Sequence, residues 1–126
     1  ATQLEPEQID YVNAHGTSTP VGDLSEIRAL KKVFLDSSGQ SPAISSTKAL
    51  TGHSLSMAGA LEAGICCLAL RDGFIPGSAH IQNLEPACEG LNILRETSAE
   101  RPRLVMSNSS GFGGANVSLI FGEWHD

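Results

Sequence analysis

The chain has 126 residues, 40% of them hydrophobic, a formal charge of −6 and three cysteines. That length suits one globular domain, and no apolar run is long enough to form a membrane-spanning helix. The acidic balance excludes a nucleic-acid footprint, and cysteines at 66, 67 and 88 make no disulfide framework, which points to a reducing, cytoplasmic compartment.

The opening Ala1-Thr2-Gln3 has no initiator Met and no signal-peptide core, so the chain is expected to be a piece of a larger protein, entered in mid-domain. Residues 1–9 are an acidic, Pro-containing lead-in. Tyr11-Val12-Asn13-Ala14 reads as a short buried strand ending at His15, and Gly16-Thr17-Ser18-Thr19 as a tight loop. Thr19 followed by Pro20 is an N-cap with Pro at N1, and Asp23 is favourable in the first turn. The helix so started is predicted to reach about Phe34, with Ile27, Leu30, Val33 and Phe34 on one face and Arg28, Lys31 and Lys32 on a solvated one. Glu26 falls on the apolar face. Its carboxylate either pairs with a cation, for which Lys48 is the candidate, or reaches water at the edge of the face.

Asp36 to Pro42 reads as a surface loop and Ala43 to Ser46 as a strand. The stretch Ser46-Thr47-Lys48-Ala49-Leu50-Thr51-Gly52-His53 then places a Lys and a His among small hydroxyl residues, on what reads as a loop. From Ser54 or Ser56 a helix follows that is apolar nearly all round, interrupted only by Glu62, and is therefore predicted to be central. Arg71 and Gly73 end it. Ser78 to Gly90 is a long loop, Leu91 to Leu94 a short strand, and Leu104-Val105-Met106 and Asn116 to Phe121 the arms of a closing hairpin. The fold class is α/β, a mixed sheet with a buried central helix and a C-terminal β-hairpin.

Two histidines stand in Gly- and hydroxyl-rich loops after strands. The positive end of the helix that follows His53 should hold its ring neutral. A neutral imidazole with a fixed N–H can polarise a carbonyl or stabilise an enolate oxygen. Gly111-Phe112-Gly113-Gly114 has the wrong spacing for a dinucleotide loop and leads into a strand. It is either a source of oxyanion-hole N–H groups or an ordinary hairpin turn. A zinc site from His15, His53 and Asp23 lacks helical or C-x-x-C spacing, so no metal is expected. Cys66 and Cys67 on an apolar helix, and Cys88 near Glu85 and Glu89, are poor nucleophiles.

Three motifs in order carry a resemblance: Asn13-Ala14-His15-Gly16-Thr17-Ser18-Thr19-Pro20-Val21-Gly22-Asp23, Ser46-Thr47-Lys48-Ala49-Leu50-Thr51-Gly52-His53-Ser54, and Ser107-Asn108-Ser109-Ser110-Gly111-Phe112-Gly113-Gly114. Over roughly Tyr11 to Phe121 the chain resembles the C-terminal half of β-ketoacyl-[acyl-carrier-protein] synthases, the condensing enzymes of fatty-acid synthesis, of the bacterial synthase I and II type. The resemblance implies a thiolase-like fold of two similar α/β halves, a homodimer, and a nucleophilic Cys in an N-terminal half that lies outside residues 1–126. It implies that His15 and His53 are the decarboxylating histidines, Lys48 the motif lysine and Glu26 its partner. Thr17 and Thr19 would line the pantetheine arm, Ser110, Gly111 and Gly113 the acyl site, and the Phe112 N–H the oxyanion hole. The acyl groups would arrive on acyl carrier protein, with no separate cofactor. The resemblance breaks at Ser110, where the family usually has Phe, at Ala115, where it has Thr, and at Ser56 and Met57, where it has Gly and Ala. A non-catalytic chain-length-type partner subunit and a polyketide-synthase ketosynthase domain are the competing readings. The thiolase reading is disfavoured because the glycine-rich loop has no Cys.

Overall fold

A computed structural model describes residues 3–123. Five strands form one mixed sheet in the order β3-β2-β1-β4-β5. They are β1 Tyr11–Asn13, β2 Ala43–Ser45, β3 Asn92–Ile93, β4 Leu104–Ser110 and β5 Asn116–Gly122. The first four run parallel, and β5 returns antiparallel to β4 as the predicted hairpin.

Alternation along the strands sorts side chains into two layers. Val12 and Ile44 face helix α1 (Pro20–Leu30) and pack with Ile27, Leu30 and Phe34. Tyr11, Ala43 and Val105 face the other way, onto Cys66 and Leu70 of helix α4 (Ala58–Asp72). The sheet is thus a middle layer between helices. Its central strands β1 and β2 are buried on both faces, as parallel strands require, whereas β5 is largely exposed.

Two predicted helices need correction. The first continues past Phe34 without a break in helical backbone, but as a wide π turn over Lys31–Leu35 and a last turn α2 over Asp36–Ser38. The wider turn rotates the register, so Phe34 is buried while Val33, expected beside it, is half in water. The α4 helix, expected to be buried all round, is buried along one stripe: Ala58, Glu62, Cys66, Ala69 and Leu70. Cys67 and Leu68 are exposed on the opposite side. Within these residues there is one sheet for it to pack on, and nothing covers its outer face.

The stretch from Ser46 to His53, expected as a loop, contains a single helical turn, α3 (Lys48–Thr51), closed by Gly52 at φ +72°. The 78–90 loop is anchored at its start, where the Ser46 N–H donates to Ser78 Oγ at 3.0 Å. A Cβ added at Gly77 would come within 2.6 Å of the Glu96 carbonyl oxygen. Backbone cannot yield there as a flexible side chain would, so Gly77→Ala should cost about 1–3 kcal/mol of stability. Gly39→Ala, at a site with nothing within 4 Å but with φ +71°, should show only the smaller cost of a left-handed residue. Chemical denaturation of the two variants side by side measures the contrast.

Candidate active site

Strands β1, β2 and β4 are parallel, so their carboxyl ends lie along one edge of the sheet, where ligands of open α/β sheets bind. The three motifs follow those three ends. His15 stands two residues beyond β1, Lys48 three beyond β2, and Ser110 closes β4. The edge therefore brings together residues far apart in sequence.

The rings of His15 and His53 meet edge to face, with centroids 5.4 Å apart and planes at 86°. Each has its Nδ1 occupied as an acceptor. The Lys48 ammonium lies 3.4 Å from His15 Nδ1, and the Leu55 N–H donates to His53 Nδ1 at 3.3 Å. A ring that accepts at Nδ1 carries its proton on Nε2. Both rings are thus neutral donors. Leu55 aims its N–H inward from a left-handed backbone, φ +52°, a conformation that a branched residue rarely adopts.

Lys48 is buried and pairs with Glu62, which is buried on the sheet-facing stripe of α4. The expected Lys48–Glu26 pair does not form. The carboxylate of Glu26 instead accepts the His15 N–H at 2.8 Å, the Gly16 N–H at 2.8 Å and the Asn108 amide at 2.7 Å. The helical face was placed correctly, but three N–H donors lie nearer to Glu26 than the ammonium, and they satisfy a carboxylate as well as a cation does. Glu62, read from sequence as an interruption, is the partner of Lys48. Asn108 and Leu55 also had no assigned role in the sequence reading. Asn108 stood inside a quoted motif, whereas the part played by Leu55 lies in its backbone and leaves no trace in residue type.

Gly16, at φ +38°, lets the β1–α1 loop pass against β2, since a Cβ there would lie 2.7 Å from that of Ser46. The Ser46 hydroxyl donates to the Gly16 carbonyl at 3.0 Å. Thr17 and Thr19 share a hydrogen bond of 3.0 Å, and the Ser18 N–H donates to Asp23 at 3.1 Å. A cavity of about 510 Å³ opens over the histidines. Thr17, Thr19, Ser110, Gly111 and Phe112 line it together with the two rings. Gly113 lies in the same turn at φ +85°. The expected site residues except Glu26 and Gly113 thus border this cavity or touch a ring that does. Phe112 is almost wholly exposed, and Leu55, which also lines the cavity, is exposed, as are Val21, Leu50 and Met57 outside its lining.

Burial pushes the Cys66 thiol up to about 12 and raises that of Cys88, with Glu85 acting in the same direction. Neither is a thiolate near neutrality. Cys67, expected on a buried surface, is exposed.

Burial first, and then the Lys48 ammonium, hold His15 below its ordinary value of 6.5, against the pull of Glu26 and Glu62. Between the lowered folded value and 6.5 the unfolded chain binds more protons at this site, so the stability owed to the neutral ring is complete above 6.5 and is lost as pH falls through that window. Lys48→Met should narrow the window by letting His15 protonate at higher pH. It should also leave Glu62 buried without its cation, at a cost of about 3–5 kcal/mol. Denaturation midpoints measured from pH 5 to 8 test both effects, and an unchanged midpoint would contradict the role given to the pair.

Residues 1–82 match the family model "Beta-ketoacyl synthase, C-terminal domain". The chain is 52% identical over 118 residues to 3-oxoacyl-[acyl-carrier-protein] synthase 1 of Escherichia coli (strain K12), covering 94% of this chain and 28% of that protein. To the enzyme of the same name from Haemophilus influenzae it is 53% identical over 118 residues, covering 93% of this chain and 28% of the relative. Among solved structures, a beta-ketoacyl synthase from Burkholderia phymatum superposes with a TM-score of 0.89 at 39% identity, over 98% of this chain and 29% of that one. The ishigamide ketosynthase/chain length factor superposes with a TM-score of 0.89 at 35% identity, over 97% and 30%. The chain spans less than a third of the length of these relatives. With a family model covering most of its length and its fold reproduced in ketosynthase structures, the chain belongs to the beta-ketoacyl synthase family, in that family's C-terminal domain.

Proposed function

We propose that residues 1–126 are the C-terminal part of a condensing enzyme that decarboxylates malonyl-carrier protein and joins it to an enzyme-bound acyl group in fatty-acid elongation. One observation carries this reading. Two neutral histidines, each fixed at Nδ1 by a separate donor, leave two Nε2–H groups free beside one cavity.

Loss of carbon dioxide from a malonyl thioester breaks the bond between the carboxylate carbon and the α-carbon. The electron pair of that bond moves to the thioester oxygen as an enolate. Two N–H donors already in place lower the energy of that oxyanion without transferring a proton. The α-carbon then attacks the acyl thioester on a cysteine, and collapse of the tetrahedral intermediate releases the cysteine thiolate. Lys48 keeps His15 neutral and in position. The Phe112 N–H serves the second oxyanion, and Thr17 and Thr19 the pantetheine arm. The chemistry calls for no metal or other cofactor.

The nucleophile belongs to an N-terminal half of the same protein. Cys66 and Cys88 are held as thiols, and the apolar side chains of Leu55 and Phe112 that line the cavity are left in water as a wall awaiting its partner would be. The whole protein works as a cytoplasmic homodimer with acyl carrier protein as its partner. A solved neighbour at 28% identity is described as a type II PKS acyl-carrier protein in complex with its ketosynthase, which supports that kind of partner. No helix among the described residues is long and apolar enough to cross a membrane.

The 126-residue chain alone should show no condensation, because the acylated cysteine lies elsewhere. In the longer protein His53→Ala should lower malonyl decarboxylation by about 10²–10³-fold, the usual cost of one oxyanion donor. Turnover by the isolated chain, or unimpaired decarboxylation by the variant, would sink the reading.

A further inference from the structure

The bonds made by Glu26 continue beyond His15. The Asn108 amide nitrogen donates to Glu26 at 2.7 Å, and its carbonyl oxygen accepts the Ser118 hydroxyl at 2.8 Å. Asn108 and Ser118 face each other across the β4–β5 ladder. Three elements, α1, β4 and β5, are thereby joined to the backbone of the β1–α1 loop by one directional series of hydrogen bonds. A carboxylate only accepts, so the NH₂ of Asn108 must turn toward Glu26, its oxygen toward β5, and Ser118 must donate.

Just beyond this pair the hairpin carries the glycine-rich turn. That turn has little packing of its own. Ser110 and Phe112 are exposed, Gly113 and Gly114 both have φ +85°, and two backbone bonds hold it, Gly111 N–H to the Ala115 carbonyl at 2.8 Å and Gly114 N–H to the Gly111 carbonyl at 3.3 Å. On the opposite face of β4, Gly59 allows α4 to approach Ser109, where a Cβ would sit 3.4 Å from the hydroxyl. With α4 pressed against one face, the Asn108–Ser118 pair fixes the other. We propose that Glu26, Asn108 and Ser118 are a positioning relay that sets the glycine-rich turn at 111–115 against His15.

The existence of the relay rests on geometry alone, and its catalytic consequence rests on the condensing reading above. The test uses the longer protein. Asn108→Asp places a second carboxylate against Glu26, and two carboxylates sharing a site cannot both stay ionised. Decarboxylation by this variant should fall by about 10²-fold at pH 8, the scale of a small misplacement of reacting groups. It should recover as pH falls and one carboxyl takes up a proton. That trend is opposite in sign to the wild type, which loses activity as His15 protonates.

A pH-independent loss in Asn108→Asp overturns the relay. Absence of decarboxylation in the wild type would instead overturn the condensing reading. A crystal structure of the Asn108→Leu protein then decides the relay without any turnover. The relay predicts that the 111–115 turn is displaced relative to His15, and an unmoved turn contradicts it.

Discussion

The site depends on one buried ammonium. Lys48 lies among residues that exclude water, and its charge is tolerable there only because Glu62 meets it from α4. That pairing fixes the nitrogen where it also reaches His15 at the end of β1. A helix on one face of the sheet, the turn after β2 and the loop after β1 are thus held by a single cation. The arrangement has a chemical consequence. Burial already disfavours charge on the imidazole, and a positive charge beside it opposes a second one, so His15 stays a neutral donor.

Two carboxylates divide the work. Glu62 answers a charge, whereas Glu26 answers three N–H groups and holds the loop that carries His15. With the roles separate, the electrostatics of the ring and the placement of its backbone are set by different residues. His53 has no such scaffold. It is exposed and oriented by the N–H of Leu55, a residue held in strained backbone next to it. The two rings reach the same protonation pattern by different physical means.

Much of the fold was legible in the sequence. The Thr19-Pro20 start, the alternation of Val117, Leu119 and Phe121, and the Gly73 end of α4 are local signals, and they gave the right elements. The histidines and Lys48 were legible because small polar loops after strands serve packing poorly. What stayed hidden was pairing at a distance. Lys48 pairs with Glu62, which stood out only as an interruption, and not with Glu26, which helical spacing put on an inward face. The choice between them turned on backbone N–H donors at His15 and Gly16, which no side-chain pattern encodes. The exposure of Val33 likewise came from a π turn, which changes the number of residues per turn on which the periodicity argument relies. The outer face of α4 looked central by composition and is bare among the described residues, because an apolar surface in sequence does not say which chain segment covers it.

The central claim is that His15 and His53 present their Nε2–H groups to one oxygen. It is tested most directly by a crystal structure of the longer protein with a malonyl amide analogue on a pantetheine arm, which cannot be turned over. The geometry predicts one carbonyl oxygen within about 2.7–3.2 Å of both Nε2 atoms. An oxygen bound to a single ring, or held only by the N–H groups of the glycine-rich turn, would contradict it.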